Sequence, residues 1–168
     1  MARTPLGTIS EYTRHGDNPT PPNLALSIGH PAALADANLA LFGCLARGDV
    51  SARFRKLATL SVAAVLRNGY EWGHHAPTAA GVGISKECVD AIRNSERGVL
   101  DDSDQLIVDY AAAVERQDVS DDLWRRISAE LTVPQQVQLT TLSALYGFYS
   151  RIQVALQVDQ DLGYDSEF

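Results

Sequence analysis

The chain has no C-x-x-C, no H-E-x-x-H and no glycine-rich turn preceded by a strand pattern. The first absence removes the dithiol redox motif and the zinc ribbon. The second removes the metalloprotease helix, and the third the nucleotide-binding loops, since Gly81-x-Gly83 follows no strand. Lysine occurs twice in 168 residues, as Lys56 and Lys86, and the formal charge is −7. A chain so acidic, without a basic cluster, argues against a nucleic-acid surface, and none is expected. No apolar run reaches bilayer length, and no apolar stretch follows Arg3, so neither a membrane span nor a signal peptide is expected. The expectation is a soluble, cytoplasmic protein. Cys44 and Cys88 are the two cysteines, and the plain expectation is a pair of buried free thiols in a reducing compartment.

What remains is an ordinary globular composition, 45% hydrophobic and 21% charged. One domain of this length buries roughly 70% of its unfolded surface. Residues 1–30 hold four of the seven prolines, Pro5, Pro19, Pro21 and Pro22, and read as an N-terminal arm over the surface or over a neighbouring subunit. Residues 31–168 read as the helical domain. Pro31 suits the first turn of a helix that runs to Ala46. Ser51 caps a second helix through Arg67, in which Phe54, Leu57, Ala58, Val62, Val65 and Leu66 recur at helical spacing. Asn68-Gly69 breaks that pattern, and a shorter third helix begins there, with Pro77 inside it and Gly81-Val82-Gly83 closing it. Ser85, then one of Asp101, Asp102 and Ser103, then Ser120 cap three more, and Pro134 opens a last long helix to about Val158. The apolar residues of that helix cover more than one face, as in a central or subunit-facing element. Strand alternation is absent. The expected fold is all-α, a bundle of about six to seven helices.

The chemistry concentrates in Asn68-Gly69-Tyr70-Glu71-Trp72-Gly73-His74-His75. Glu71 and His75 are four apart and share a helical face, while His74 points about 100° away. A carboxylate beside an imidazole sets its tautomer and forms a proton-transfer pair near neutral pH. The alternative is an i,i+4 pair on a solvated face, which has no chemistry. A metal reading requires three well-placed ligands, and His15 and His30 could join Glu71 and His75 only by chance of folding, so no metal is expected. The residues alone leave the acid–base and solvated-face readings open, and the His74–His75 doublet beside Trp72 favours a site. Tyr70 and Trp72 suit a core or a pocket wall. Arg55, in an otherwise apolar helix, suits either a paired position or a substrate carboxylate.

From about Ser51 to Val158 the sequence resembles the carboxymuconolactone decarboxylase family, which includes the AhpD-like proteins. The resemblance rests on Phe54-Arg55-Lys56-Leu57, then Tyr70-Glu71-Trp72-Gly73-His74-His75, then Ala79-Ala80-Gly81-Val82. It continues through Val119-Ser120-Asp121-Asp122-Leu123-Trp124 and Leu145-Tyr146-Gly147-Phe148-Tyr149. It implies an AhpD-like helical bundle that forms a homo-oligomer: a dimer, trimer or hexamer. In the peroxidase branch a C-x-x-C precedes the histidine, and here Asn68 and Glu71 stand at the two cysteine positions. The resemblance therefore disfavours an AhpD-type peroxidase and implies the decarboxylase branch, with no cofactor and a small acidic or lactone-like substrate. His75 and Glu71 are then the catalytic pair, and Arg55, Tyr70, Trp72 and Tyr149 the candidate substrate-binding residues. Isomerisation, ring opening or cyclisation would use the same pair, and a non-catalytic oligomeric binding protein is the alternative of another class. Relatives with the Tyr-Glu-Trp run commonly carry Glu directly after the helix-two arginine. Here that residue is Lys56, either an inward cation in place of a carboxylate or an outward lysine without a role.

Overall fold

The computed structural model describes residues 2–7, 22–30, 32–165 and 168, and these contain eight α-helices and one 3-10 turn but no strand. The helices are α1 (Asn23–Ile28), α2 (Ala32–Ala46), α3 (Ala52–Leu66), α4 (Gly69–His75), α5 (Lys86–Asn94), α6 (Asp102–Arg116), α7 (Asp121–Glu130) and α8 (Val133–Leu156), with the 3-10 turn at Ala79–Val82. The fold is all-α, as the periodicity predicts. His15, Pro19, Pro21 and Pro31 lie outside the described residues.

Two compact units divide the described chain. One comprises residues up to Arg47 with Arg151–Tyr164, the other Gly48–Ser150 with Asp165–Phe168. In the first unit, α1 packs on α2. The Arg3 amide donates to the Leu156 carbonyl at 2.8 Å, Gly7 to Leu26 at 2.9 Å, and the Asn23 amide to the Asp161 carboxylate at 2.8 Å. The described arm is thus tied down by backbone hydrogen bonds and carries the one helix that periodicity does not reveal. Six residues are too few for a repeat at 3.6.

The α2 helix corrects the expectation of buried thiols. Its buried side holds Ala35 and Leu45, while Leu34 and Leu41 are exposed at helical spacing, and Cys44, three residues after Leu41, is exposed with them. A helix apolar on all sides gives no sequence signal of which side faces out. Cys88 is half-buried, and both thiols are free.

In the second unit α3 packs most extensively on α6 and also meets α4 and α5, and α6 carries α7. Leu57, Leu60, Ile84, Ile107, Tyr110, Ile127 and Leu139 are fully buried there. The α8 helix is fixed to this core at two polar points. The Tyr110 hydroxyl lies 2.6 Å from Thr140 Oγ1, and the Gln138 amide oxygen accepts from the Val50 amide at 2.9 Å.

Capping explains where the helices begin. Ser51, Asn68, Ser85, Asp101 and Ser120 each accept a hydrogen bond through the side chain from the backbone N–H three residues on. Where they end is less conventional: Arg67, Ser95 and Gln117 adopt left-handed backbone at φ 50°, 58° and 61°, a conformation glycine fills more cheaply. The break after α3 therefore falls on Arg67 and Asn68; of the expected Asn68-Gly69 break, Asn68 lies between the helices while Gly69 is already the first residue of α4. Pro77 also differs from expectation. It follows Ala76, the C-cap of α4, instead of lying within the helix, and Ala76 itself keeps helical backbone at φ −63° and ψ −45°.

Candidate functional site

Asn68 begins the site. Its own amide donates to the Ala63 carbonyl at 2.9 Å, closing α3, and its side-chain oxygen accepts from the Glu71 amide at 3.0 Å, opening α4. One buried residue thereby links the end of α3 to the start of α4 and orients Glu71. Glu71 is itself buried, with 4% of its surface exposed, which excludes the solvated-face reading of the pair.

Glu71 Oε2 lies 3.4 Å from Nε2 of His75, one helical turn away. The other ring nitrogen, Nδ1, lies 3.1 Å from Nζ of Lys56 on α3, and Nζ donates to Thr78 Oγ1 at 2.8 Å. A cationic amine has no acceptor lone pair, so Lys56 donates to Nδ1 and the proton of the neutral ring sits on Nε2, facing Glu71. This tautomer is assigned from the hydrogen-bond partners. The three side chains form a continuous chain of proton-carrying atoms from a buried carboxylate to a half-buried amine.

Electrostatics favour the neutral imidazole. Burial lowers the His75 pKa below its usual value, the Glu71 contact works against this, and the Lys56 charge lowers it further. Burial alone brings the Lys56 amine down to about 8. Tyr146 of α8 packs edge-on against His75, with centroids 5.2 Å apart. Its hydroxyl bonds to Thr59, and burial, reinforced by the Glu71 charge, raises its pKa far above the ordinary phenol range, so it stays protonated.

The candidate residues do not all converge. Glu71 and His75 are paired, and Tyr149 joins them through the edge of Tyr146, at 5.9 Å between centroids. The Arg55 guanidinium hydrogen bonds to the Val50 carbonyl and adds positive charge near Tyr146. Tyr70 is buried with its ring on His74 at 4.7 Å, so the second imidazole faces an aromatic wall. Trp72 packs edge-on against Phe168, with the Arg93 guanidinium 5.9 Å from its ring centroid. Lys56, Thr78 and Tyr146 are the members that the sequence pattern left unassigned. Lys56 had a signal, its place beside Arg55, and the structure settles it as an inward cation.

Among the described residues no group of three or more His, Cys, Asp or Glu is arranged to hold a metal ion, and no helix is long and apolar enough to cross a membrane. A cleft of about 430 Å³ borders α3, α5, α6 and α7, and it includes none of these site residues. Arg97 on its wall is already paired with Asp109 at 2.7 Å, and no carboxylate–imidazole pair lines it.

Residues 31–97, which contain Lys56, Glu71 and His75, match the carboxymuconolactone decarboxylase family. No curated protein matches the chain. Among solved structures, an uncharacterized peroxidase-related protein from Silicibacter sp. TM1040 superposes with a TM-score of 0.75 at 14% identity, over 85% of this chain and 78% of that one. The debrominase Bmp8 in complex with 2,3,4-tribromopyrrole gives 0.73 at 16% identity, over 85% and 79%. An alkylhydroperoxidase AhpD core protein from Ralstonia eutropha JMP134 gives 0.73 at 15% identity, over 84% and 77%. At these identities the likeness is one of fold, and the fold is AhpD-like.

Proposed function

For a chain of the carboxymuconolactone decarboxylase family with an AhpD-like fold, we propose a cofactor-free lyase-type enzyme that removes CO₂ from a small carboxylic acid or lactone with proton transfer. The observation that carries this reading is the chain Glu71–His75–Lys56, with contacts of 3.4 and 3.1 Å. Loss of CO₂ leaves an electron pair on carbon, and the enzyme's task is to stabilise that carbanion and deliver a proton to it. Both nitrogens of His75 are engaged, so the substrate meets the outer end of the chain, at Lys56. A proton given up there is replaced from His75 Nδ1 once the ring has been charged, and Glu71 balances the imidazolium. Tyr146 closes one side of the imidazole as a neutral phenol and adds no competing charge. Arg55 supplies a second positive charge near the phenol, suited to an anionic substrate.

The reading includes a homo-oligomer. Val133, Val137 and Phe148 of α8 are exposed at spacings that put them on one helical face, where a second copy would cover them.

The test is incubation of the purified chain in deuterated solvent with small carboxylic acids and lactones. CO₂ release is expected with one deuterium at the carbon that lost it, and its loss in a folded His75→Gln variant. A panel with neither CO₂ nor deuterium uptake rejects the reading.

A further inference from the structure

We propose that Lys56 is a covalent nucleophile, whose Nζ condenses with the carbonyl of a small 3-oxo acid to form the imine through which CO₂ is lost. This rests on the proton-transfer reading above and names a substrate class for the same site.

The geometry separates Lys56 from an ordinary surface lysine. Its Nζ contacts a neutral imidazole and a hydroxyl, and it has no ion-pair partner among the described residues. The chain's other lysine, Lys86, is 82% exposed and paired with Asp90 at 2.5 Å. An amine without a carboxylate to hold it charged, and with an imidazole at 3.1 Å to take its proton, is arranged for attack on carbon. The titratable group in contact with Nζ is His75; Glu71 and His74 of α4 act in turn on that ring, and Glu71, Arg55 and Tyr149 act on the Tyr146 phenol that packs against it. The desolvated amine titrates near 8, which leaves roughly one in ten molecules neutral at pH 7.

The chemistry also asks for an electron sink. Breaking the bond to a carboxylate with no cofactor requires somewhere for the bonding pair to go, and a protonated imine is a better acceptor than a ketone. The neutral Nζ adds to the carbonyl carbon, and the carbonyl oxygen takes a proton. Delivery of a second proton through His75, as nitrogen gives up its own, lets water depart and leaves the iminium. The carbon–carboxylate bond then breaks, its electron pair forming the enamine double bond as CO₂ leaves. The enamine carbon accepts a proton from the same chain, and water hydrolyses the iminium to the ketone and free Lys56. The net change is a 3-oxo acid anion and one proton converted to a ketone and CO₂.

Borohydride trapping tests this on the full chain with acetoacetate and oxaloacetate, each reaction being read by intact mass and peptide mapping. A reduced adduct is expected on Lys56 and not on Lys86, with its yield rising about tenfold or more between pH 6 and pH 9. Lys56→Arg and Lys56→Met should give no adduct while melting cooperatively. No adduct with either acid, or equal labelling of both lysines, overturns the proposal. CO₂ release that persists in Lys56→Arg without an adduct also overturns it, while leaving the acid–base reading intact. A trapped adduct without CO₂ release supports the nucleophile and rejects decarboxylation.

Discussion

Nζ of Lys56 on α3 lies 3.1 Å from Nδ1 of His75 on α4. The pair joins two helices across the site and leaves the opposite ring nitrogen to Glu71, so one imidazole is held at both ends. A cation and a carboxylate thus flank the same ring from opposite sides.

Because His75 is bonded at both nitrogens and His74 is stacked on Tyr70, the two histidines should separate cleanly in a variant series. His75→Gln is expected to lower turnover by about 10²–10⁴-fold, and His74→Gln by less than tenfold. Glu71→Gln acts through His75, so its signature is a displaced pH–rate profile as well as a lower rate. Equal losses in both histidine variants would refute the assignment.

Burial works against Lys56 even as it tunes it. The amine titrates near 8 in the folded chain against an ordinary 10.5. Between these values the unfolded chain binds the extra proton, so this group's contribution to stability rises with pH from about 8 to about 10.5. Below 8 both states are protonated and the full cost of burying the charge remains. Lys56→Met should therefore stabilise the protein at pH 7, by about 1–2 kcal/mol after allowance for the water that still reaches this half-buried group. The melting temperature should rise by a few degrees, and the rise should vanish above pH 10.5. A variant that melts lower at pH 7 would show that the His75 and Thr78 contacts outweigh desolvation.

Much of this was legible locally. Ser51, Ser85 and Ser120 announce their helices because a cap and its N–H are three residues apart, the run Asp101-Asp102-Ser103 announces α6 without fixing which residue caps it, and α2 begins and ends where apolar continuity predicts. Glu71 and His75 were visible for the same reason, as an i,i+4 pair. Lys56, Thr78 and Tyr146 reach His75 from outside its helix, and no spacing rule encodes a contact made by the packing of α3 or α8. The exposure of Cys44 was hidden by a helix whose outward side is as apolar as its inward one.

The α6–α7 connection offers a stability test remote from the site. Gln117 is exposed, holds φ 61° and donates its N–H to the Val114 carbonyl, while the next amide, of Asp118, reaches back to Ala113 at 3.0 Å. A side chain at this left-handed cap is strained by its own Cβ. Gln117→Gly is expected to stabilise by about 0.5–1 kcal/mol and Gln117→Val to destabilise by a similar or larger amount, read from urea midpoints at constant m. A glycine variant no more stable than the parent would mean that the cap strain is already relieved.

The cysteines should be dispensable for turnover. The positions that would carry a C-x-x-C ahead of His75 are Asn68 and Glu71, and both are otherwise occupied: Asn68 caps α4, and Glu71 faces the imidazole. Cys44 lies exposed on α2, and Cys88 half-buried in the first turn of α5 with its amide held by Ser85 at 3.3 Å. A thiol peroxidase needs a reactive thiolate and a resolving thiol in the same site. The double variant Cys44→Ser, Cys88→Ser should keep at least half of the parent's turnover, and the parent should reduce no hydroperoxide at the expense of a dithiol. Titration with a chromogenic disulfide reagent supplies the structural control: Cys44 should react fast and Cys88 more slowly in the native protein, with both free. Thermal unfolding of the same samples separates a chemical loss from a packing loss at Cys88. A Cys88→Ser protein that melts like the parent but has lost turnover would assign the chemistry to sulfur and take it away from the Glu71–His75–Lys56 chain.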